Sequence, residues 1–238
     1  MGKPAYRRVL VKVSGEALMG TETYGLHAPT IGRIAADLTK VRKSAIDVAV
    51  VVGGGNVVRG ATLAETGLDR AAADQMGMLA TVMNALALEA AIEKAGGTVR
   101  TLSAVPMPSV CESYSRQTAL RHIEEGHIVL LAGGTGQPYF TTDTGAALRA
   151  AELNCDAIFK ATNVDGVYDS DPRQNRNAKR FDQLTHDEAL AKGLKVMDAA
   201  AFALAREAGL PIIVFSIREP GAIVAAIRGE GRSTAVVP

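Results

Sequence analysis

Short β-branched runs alternate with longer alanine-rich stretches whose apolar residues recur at helical spacing. That is the pattern of parallel strands joined by crossover helices. Residues 7–13 read as a first strand, and residues 31–44 as a helix with Ile31, Ile34, Ala35, Leu38 and Val41 along one stripe. Residues 47–52 form a second strand. A long helix over about 70–94 is stopped by Gly96 and Gly97, and residues 98–103 return as a strand. Beyond a loop marked by Pro106 and Pro108, a helix at 115–125 leads into a strand at 127–131. A loop rich in glycine and threonine then precedes a helix at 144–153 and a strand at 157–161. The polar residues 163–180 are expected to bury little and to form an exposed excursion with a short hairpin at its far end. Helices near 185–192 and 198–208, a strand at 211–216, a helix at 222–228 and a last strand at 233–237 complete an α/β chain.

With 238 residues, 47% of them apolar, the chain fills one large core, and its length admits one domain or two closely packed halves. No repeat, low-complexity tract or linker divides it, so two lobes would share one sheet and meet near Ala132. Lysine plus arginine (26) balance aspartate plus glutamate (25) without a basic run, which gives no support to a nucleic-acid partner or an anionic membrane. Apolar runs such as 48–52 and 128–132 fall far short of the ~20 residues of a membrane span. Residues 1–8 lack the apolar stretch of a secretory signal, and a cytoplasmic protein is expected. Cys111 and Cys155 show neither metal-ligand spacing nor a CxxC pair and read as inert thiols.

Ligands of an open parallel sheet bind beyond the carboxyl ends of its strands, so the loops that follow strands carry the chemistry. In the first, Lys12 ends a strand and Val13, Ser14, Gly15 and Glu16 follow. Glycine lets backbone N–H groups approach a phosphate and the lysine adds a compact charge, although a lone strand-end lysine is more often a solvated surface residue. The second is Gly53, Gly54, Gly55 and Asn56, with Arg59 shortly after. Three successive glycines are costly to order and have no packing value of their own, so a closely approaching ligand explains them better than a tight turn.

The third loop runs from Gly133, Gly134 and Thr135 through Gly136, Gln137, Pro138, Tyr139, Phe140, Thr141 and Thr142 to Asp143. Its small residues and hydroxyls suit a phosphate held at a helix N-terminus. Asp143 is there either a functional carboxylate or the N-cap of the helix. The fourth places Thr162, Asn163, Asp165, Tyr168, Asp169 and Asp171 after a strand, which suits a nucleoside, an acidic surface loop or a weak calcium site. Its carboxylates lack the EF-hand order. The chain has no GxxxxGK[ST] motif and no GxGxxG after its first strand, which sets aside P-loop kinases and dinucleotide folds. His27, His122, His127 and His186 lie outside the four loops and show no metal-ligand spacing, so core or surface roles are expected.

A strand-end lysine, a triple-glycine loop, a threonine-rich loop before a helix and a late nucleotide loop, in that order over nearly the whole chain, resemble the amino-acid-kinase superfamily. Within it, three segments look like the bacterial UMP kinases: the glycine loop with Arg59 and Gly60, residues 74–81 with Met83 and Asn84, and residues 135–143. The stretch beginning at Asp74 is the discriminating one. The resemblance implies a three-layer sandwich around a mainly parallel sheet. It implies a single domain over 1–238, with an acceptor part to about 132 and an ATP part over about 133–238. The implied activity is transfer of the γ-phosphoryl group of ATP to UMP, with Mg²⁺.

By the same resemblance, ATP contacts fall on Lys12, Val13, Ser14, Gly15, Gly55, Arg59, Thr162, Asn163, Tyr168 and Asp171. UMP contacts fall on Gly54, Asp74, Thr135, Gly136, Gln137, Pro138, Tyr139, Phe140, Thr141 and Thr142. Lys12, Arg59 and Asp143 carry catalysis, Asp143 by orienting the lysine, and Lys195 is a second cation. A response to GTP is implied at Gly20, Thr21, Glu22, Thr23, Tyr24 and Gly25, with UTP as inhibitor and a homohexamer as the assembly.

A phosphate monoester has its second pKa at about 6, so the acceptor oxygen of UMP is already largely anionic at neutral pH and needs no general base. Transfer then depends on holding two polyanions in line and spreading charge over the moving oxygens. Asp74 reads as an acceptor for ribose hydroxyls, against the alternative of a solvated helix-end charge. Two other readings stay open: a kinase of the same fold with a carboxylate, carbamate or isoprenoid-phosphate acceptor, and a non-catalytic nucleotide-binding storage or sensor protein. Lys12 and Asp143 together argue against the second.

Overall fold

The computed structural model describes residues 5–58, 67–172, 174–194 and 196–238. Arg59, Gly60 and Lys195 lie outside the described residues. The strands are β1 (Arg8–Val13), β2 (Asp47–Val52), β3 (Val99–Ser103), β4 (Glu112–Ser113), β5 (Ile128–Ala132), β6 (Ala157–Thr162), β7 (Val167–Tyr168), β8 (Arg180–Phe181), β9 (Gln183–Thr185), β10 (Ile212–Ser216) and β11 (Ser233–Val237). The helices are α1 (Ala28–Lys43), α2 (Arg70–Lys94), α3 (Arg116–Glu124), α4 (Thr142–Glu152), α5 (His186–Ala191), α6 (Ala199–Glu207) and α7 (Ala222–Ile227). Among the described residues, nine strands form one sheet in the order β4-β3-β5-β2-β1-β6-β10-β11-β9, within which only the β10–β11 pair is antiparallel. Single-sheet continuity follows from short parallel strands whose crossovers are helices.

The sheet's period of two divides the core into two layers. Val9, Val11 and Val13 of β1 face α1, α2 and α7 through Ile34, Leu38, Leu88 and Ile223. Leu10, with Ile158 of β6, faces α3, α4 and α6 through Ile123, Ala147 and Phe202. Helices thus cover both faces, giving three layers. Helix α1 presents the expected stripe of Ile31, Ile34, Ala35, Leu38 and Val41, all buried.

Most expected elements appear within two residues of their bounds. Short β4 and β9 and the 3₁₀ turn Gly15–Leu18 are not in the sequence pattern, because two to four residues are too few to display a period. Two expectations need correction. The hairpin in the polar excursion spans most of it, pairing Val167 with Phe181 and Tyr168 with Arg180, and Val167 is buried in the second core layer. The excursion is therefore anchored, its hairpin hydrogen-bonded to β11 through Val167 N–H donating to Thr234 Oγ1 at 2.8 Å. Second, α2 does have the length and hydropathy of a membrane span, although the linear apolar runs are short. It lies on the sheet through Val82, Ala85, Leu88 and Ile92, and leaves Met76, Leu79 and Met83 exposed.

Candidate active site

Alternation along β1 sends Leu10 and Lys12 to the α4 side of the sheet, and β6 sends Ile158 and Lys160 the same way. Lys12 and Lys160 are register partners on adjacent strands. Two ammonium groups so placed would repel, and α4 supplies the counter-charge in its first turn. Asp143 Oδ1 lies 2.8 Å from Lys12 Nζ and its Oδ2 2.5 Å from Lys160 Nζ. Lys160 also donates to the carbonyl of Val196. Burial by itself would push the Asp143 carboxyl up, but the two lysines outweigh it and hold it below the ordinary carboxylate range. Burial lowers Lys160 against the attraction of Asp143, with Lys12 adding to the lowering.

The N-cap of α4 is Thr141, which accepts from Asp143 N–H and Thr144 N–H, so the capping alternative for Asp143 is set aside. Asp198, the N-cap of α6, accepts from the hydroxyls of Thr141 and Thr144 and brings a second carboxylate to the same place.

A cleft of 880 Å³ opens over these lysines between the loops that leave β1, β2 and β6. Lys12, Ser14, Gly15, Gly55, Thr162, Asn163, Tyr168 and Asp171 all line it, and so does Gly54. Val13 does not: its side chain is in the core on the far face, and its carbonyl accepts from Gly53 N–H at 2.8 Å. The Tyr168 hydroxyl donates to Asp165 at 2.6 Å, which raises the phenol and lowers the carboxyl. A recess of 600 Å³ shares Lys12, Lys160 and Thr142 with the cleft and adds Thr141, Asp143 and Asp198.

The glycine loop has packing value after all. A Cβ on Gly53 would stand 2.8 Å from Gly15 N, and one on Gly15 would stand 2.6 Å from Gly55 N. The loops after β1 and β2 therefore touch through bare backbone. Gly54 does the same against α2, where a Cβ would meet Gly77 O at 2.6 Å.

Beyond Gly54 lies Asp74. It is not a solvated charge: its side chain is 13% exposed, Arg70 Nε donates to both of its oxygens, and Tyr139 N–H donates to Oδ2 at 2.9 Å. Tyr139 has φ 70°, a left-handed conformation unusual for a tyrosine, and the Asp74 bond helps hold it there. Thr135, Gly136, Gln137, Pro138, Tyr139 and Phe140 form a loop over this region and do not line the main cleft; Thr142 lines both spaces, and Thr141 the recess alone. The segment Gly20, Thr21, Glu22, Thr23, Tyr24 and Gly25 is mostly exposed, and Gly25 N–H donates to Asn56 O at 3.0 Å.

Sequence reading missed Lys160 and Asp198. The first had a signal, a lysine inside an otherwise apolar strand. The second had none, since its approach to Thr141 and Thr144 is tertiary. Reading also gave the histidines no common place, whereas His122 and His127 pack edge to face with ring centroids 5.5 Å apart.

Comparison with known proteins agrees with this geometry. The amino acid kinase family model matches residues 7–216. A uridylate kinase of Azorhizobium caulinodans is 69% identical over 233 residues, covering 98% of each chain, and one of a Bradyrhizobium species is 61% identical over 99% of each. Among solved structures, the UMP kinase of Ureaplasma parvum superposes with a TM-score of 0.93 at 39% identity, over 98% of this chain and 99% of that one. The UMP kinase of Bacillus anthracis gives the same TM-score at 38% identity. With a lysine pair bridged by Asp143 at the carboxyl ends of a parallel sheet and likeness over its full length, the chain belongs to the amino acid kinase family.

Proposed function

We infer that this protein is a nucleoside-monophosphate kinase that transfers the γ-phosphoryl group of ATP to UMP, giving UDP and ADP. The observation that carries the reading is Lys12 and Lys160 joined through Asp143 at the point where the 880 Å³ cleft meets the neighbouring recess. ATP occupies the cleft, with its phosphates toward Lys12, Ser14, Gly15 and Gly55 and its nucleoside toward Thr162, Asn163, Tyr168 and Asp171. UMP lies between Gly54, Asp74 and residues 135–142. The acceptor part is then residues up to about 132, helped by the loop after β5, and the ATP part is the remainder of the same sheet.

Because the acceptor phosphate is already anionic, the site's work is positioning and charge stabilisation. The two lysines stand where charge develops, and the N-terminus of α4 adds its dipole. Asp143 keeps the ammonium groups at fixed places. Asp143 and Asp198 offer the hard oxygen donors that suit Mg²⁺ and its waters, so the residues present fit the ion that accompanies ATP. Held there, Mg²⁺ would offset part of the negative charge of the phosphates.

We further assign a cytoplasmic location, GTP activation through residues 20–25, UTP inhibition and a homohexamer. The exposed Met76, Leu79 and Met83 on α2 support association of subunits. The test is ADP release with UMP, CMP, dUMP and non-nucleotide acceptors, each with and without GTP. Turnover confined to a non-nucleotide acceptor, or none at all, overturns the assignment.

A further inference from the structure

At the amino end of β5, away from the loops that follow the strands, α3 ends and β5 begins. His122, on the last turn of α3, is 6% exposed and stands between two carboxylates. Its Nε2 is 3.0 Å from Glu112 Oε2, and its Nδ1 is 3.3 Å from Glu125 Oε2. His127 Nδ1 is 3.7 Å from the same Glu125 oxygen. One donor atom from each of His122, Glu125 and His127 falls within 4.8 Å of the other two. The turn that folds His127 back over His122 passes through Gly126 at φ 90°, and Arg42 Nε pins it by donating to Gly126 O at 2.9 Å.

We propose that His122, Glu125 and His127 form a binding site for a divalent transition metal of the zinc class, separate from the nucleotide cleft, with Glu112 fixing the His122 ring. Ligand atoms about 2.0–2.1 Å from a tetrahedral zinc lie roughly 3.3–3.5 Å apart, and two ligating imidazole rings have centroids roughly 5–5.5 Å apart. The 3.3 Å and 3.7 Å separations and the 5.5 Å ring distance lie close to those values without rearrangement of the backbone. Two imidazoles and one carboxylate suit Zn²⁺ better than Mg²⁺ or Ca²⁺, which take oxygen donors. Glu112 at Nε2 supplies the carboxylate–histidine contact that leaves Nδ1 to face the metal. Glu125 is half-exposed, so solvent completes the coordination. His127 makes its Nδ1 available by giving up its 3.2 Å contact with the His122 carbonyl. A bound ion would tie the end of α3 to the start of β5 and, through Glu112, to the edge strand β4.

The experiment is calorimetric titration of Zn²⁺ into metal-stripped full-length protein without nucleotide, with Co²⁺ visible absorption in parallel. One equivalent is expected, with Co²⁺ bands of a tetrahedral nitrogen and oxygen site and no thiolate band. Affinity should fall by at least about 100-fold in His127→Gln and in Glu125→Gln, and by about 10–100-fold in Glu112→Gln. His127 is outside the nucleotide site, so His127→Gln should keep the parent turnover and thermal transition in the absence of Zn²⁺. Absence of binding by either metal, or an equivalent that survives unchanged in His127→Gln, overturns the proposal and leaves His122 as a ring shared by two carboxylates.

Discussion

Asn56 and Asn84 form a reciprocal pair of buried amides: Asn84 Nδ2 donates to Asn56 Oδ1 at 2.6 Å, and Asn56 Nδ2 donates to Asn84 Oδ1 at 3.0 Å. The second N–H of Asn84 goes to the carbonyl of Gly53 at 2.7 Å, and that of Asn56 to the carbonyl of Gly25 at 2.9 Å. The pair therefore ties the glycine loop, α2 and the segment 20–25 into one unit. Removing one member leaves buried partners without bonds, which costs more than the bond itself contributes.

Asn84→Ala should lower the unfolding free energy by about 3 kcal/mol, seen as a lower urea midpoint at unchanged slope. Asn56→Ala combined with Asn84→Ala should cost less than the sum of the two by about 1 kcal/mol or more. Strict additivity in the double-mutant cycle would show that the two amides act separately.

Lys12, Asp143 and Lys160 predict both a rate and a pH effect. Lys12→Ala should reduce kcat by about 100–1,000-fold, the scale of one preorganised donor, with little change in the KM for UMP. Asp143→Asn leaves two buried ammonium groups without their counter-charge and should destabilise by about 3 kcal/mol. The folded carboxyl is held below its ordinary value, so its contribution is complete above the unfolded value of about 3.9 and is lost as pH falls through the lower folded one. Thermal melts should accordingly show the parent's advantage over Asp143→Asn complete at neutral pH and shrinking in strong acid. A gap that stays constant down to the acid transition would remove Asp143 from the linkage.

How much of this was legible depended on range. Strand and helix order could be read because β1, β2 and α2 carry their period locally, and Lys12 was legible because it ends an apolar run. Asp143 was legible only as a choice between cap and function. The choice was decided by Thr141, whose hydroxyl takes the capping bonds. What sequence did not reveal is what tertiary packing creates: Lys160 beside Lys12 on adjacent strands, Asp198 beside Thr141 at two helix N-termini, and the backbone contact of Gly15 with Gly53. The glycines were read as room for a ligand, whereas half of their reason is the contact between two loops and a helix.

Asp74 holds Tyr139 and Arg70, and the proposed function also gives it the UMP ribose, so its substitution separates two roles. Asp74→Asn keeps an oxygen for Tyr139 N–H but loses the charge that pairs with Arg70 and attracts hydroxyl donors. The KM for UMP should rise about 10-fold or more, the size of one lost charge-assisted bond, while the KM for ATP stays at the parent value. Equal increases in both constants would remove Asp74 from the acceptor site.

Gly54, where the glycine loop meets α2, and Gly15, where the loop after β1 meets the glycine loop, provide a matched pair. A methyl on Gly54 would lie 2.6 Å from Gly77 O and 3.0 Å from Ala80 Cβ, so α2 must move away from the loop. Asp74 is in the first turns of that helix, and the displacement reaches the acceptor side first. A methyl on Gly15 would instead lie 2.6 Å from Gly55 N and from Asn56 Oδ1, forcing apart the two loops that line the cleft. Neither backbone neighbour yields cheaply, and each substitution should cost about 1–3 kcal/mol in stability. Their kinetic signatures should differ: Gly54→Ala raises the KM for UMP above all, and Gly15→Ala the KM for ATP. If both variants raise the same constant, the glycine loop does not divide donor from acceptor, and the placement of the two nucleotides on either side of it fails.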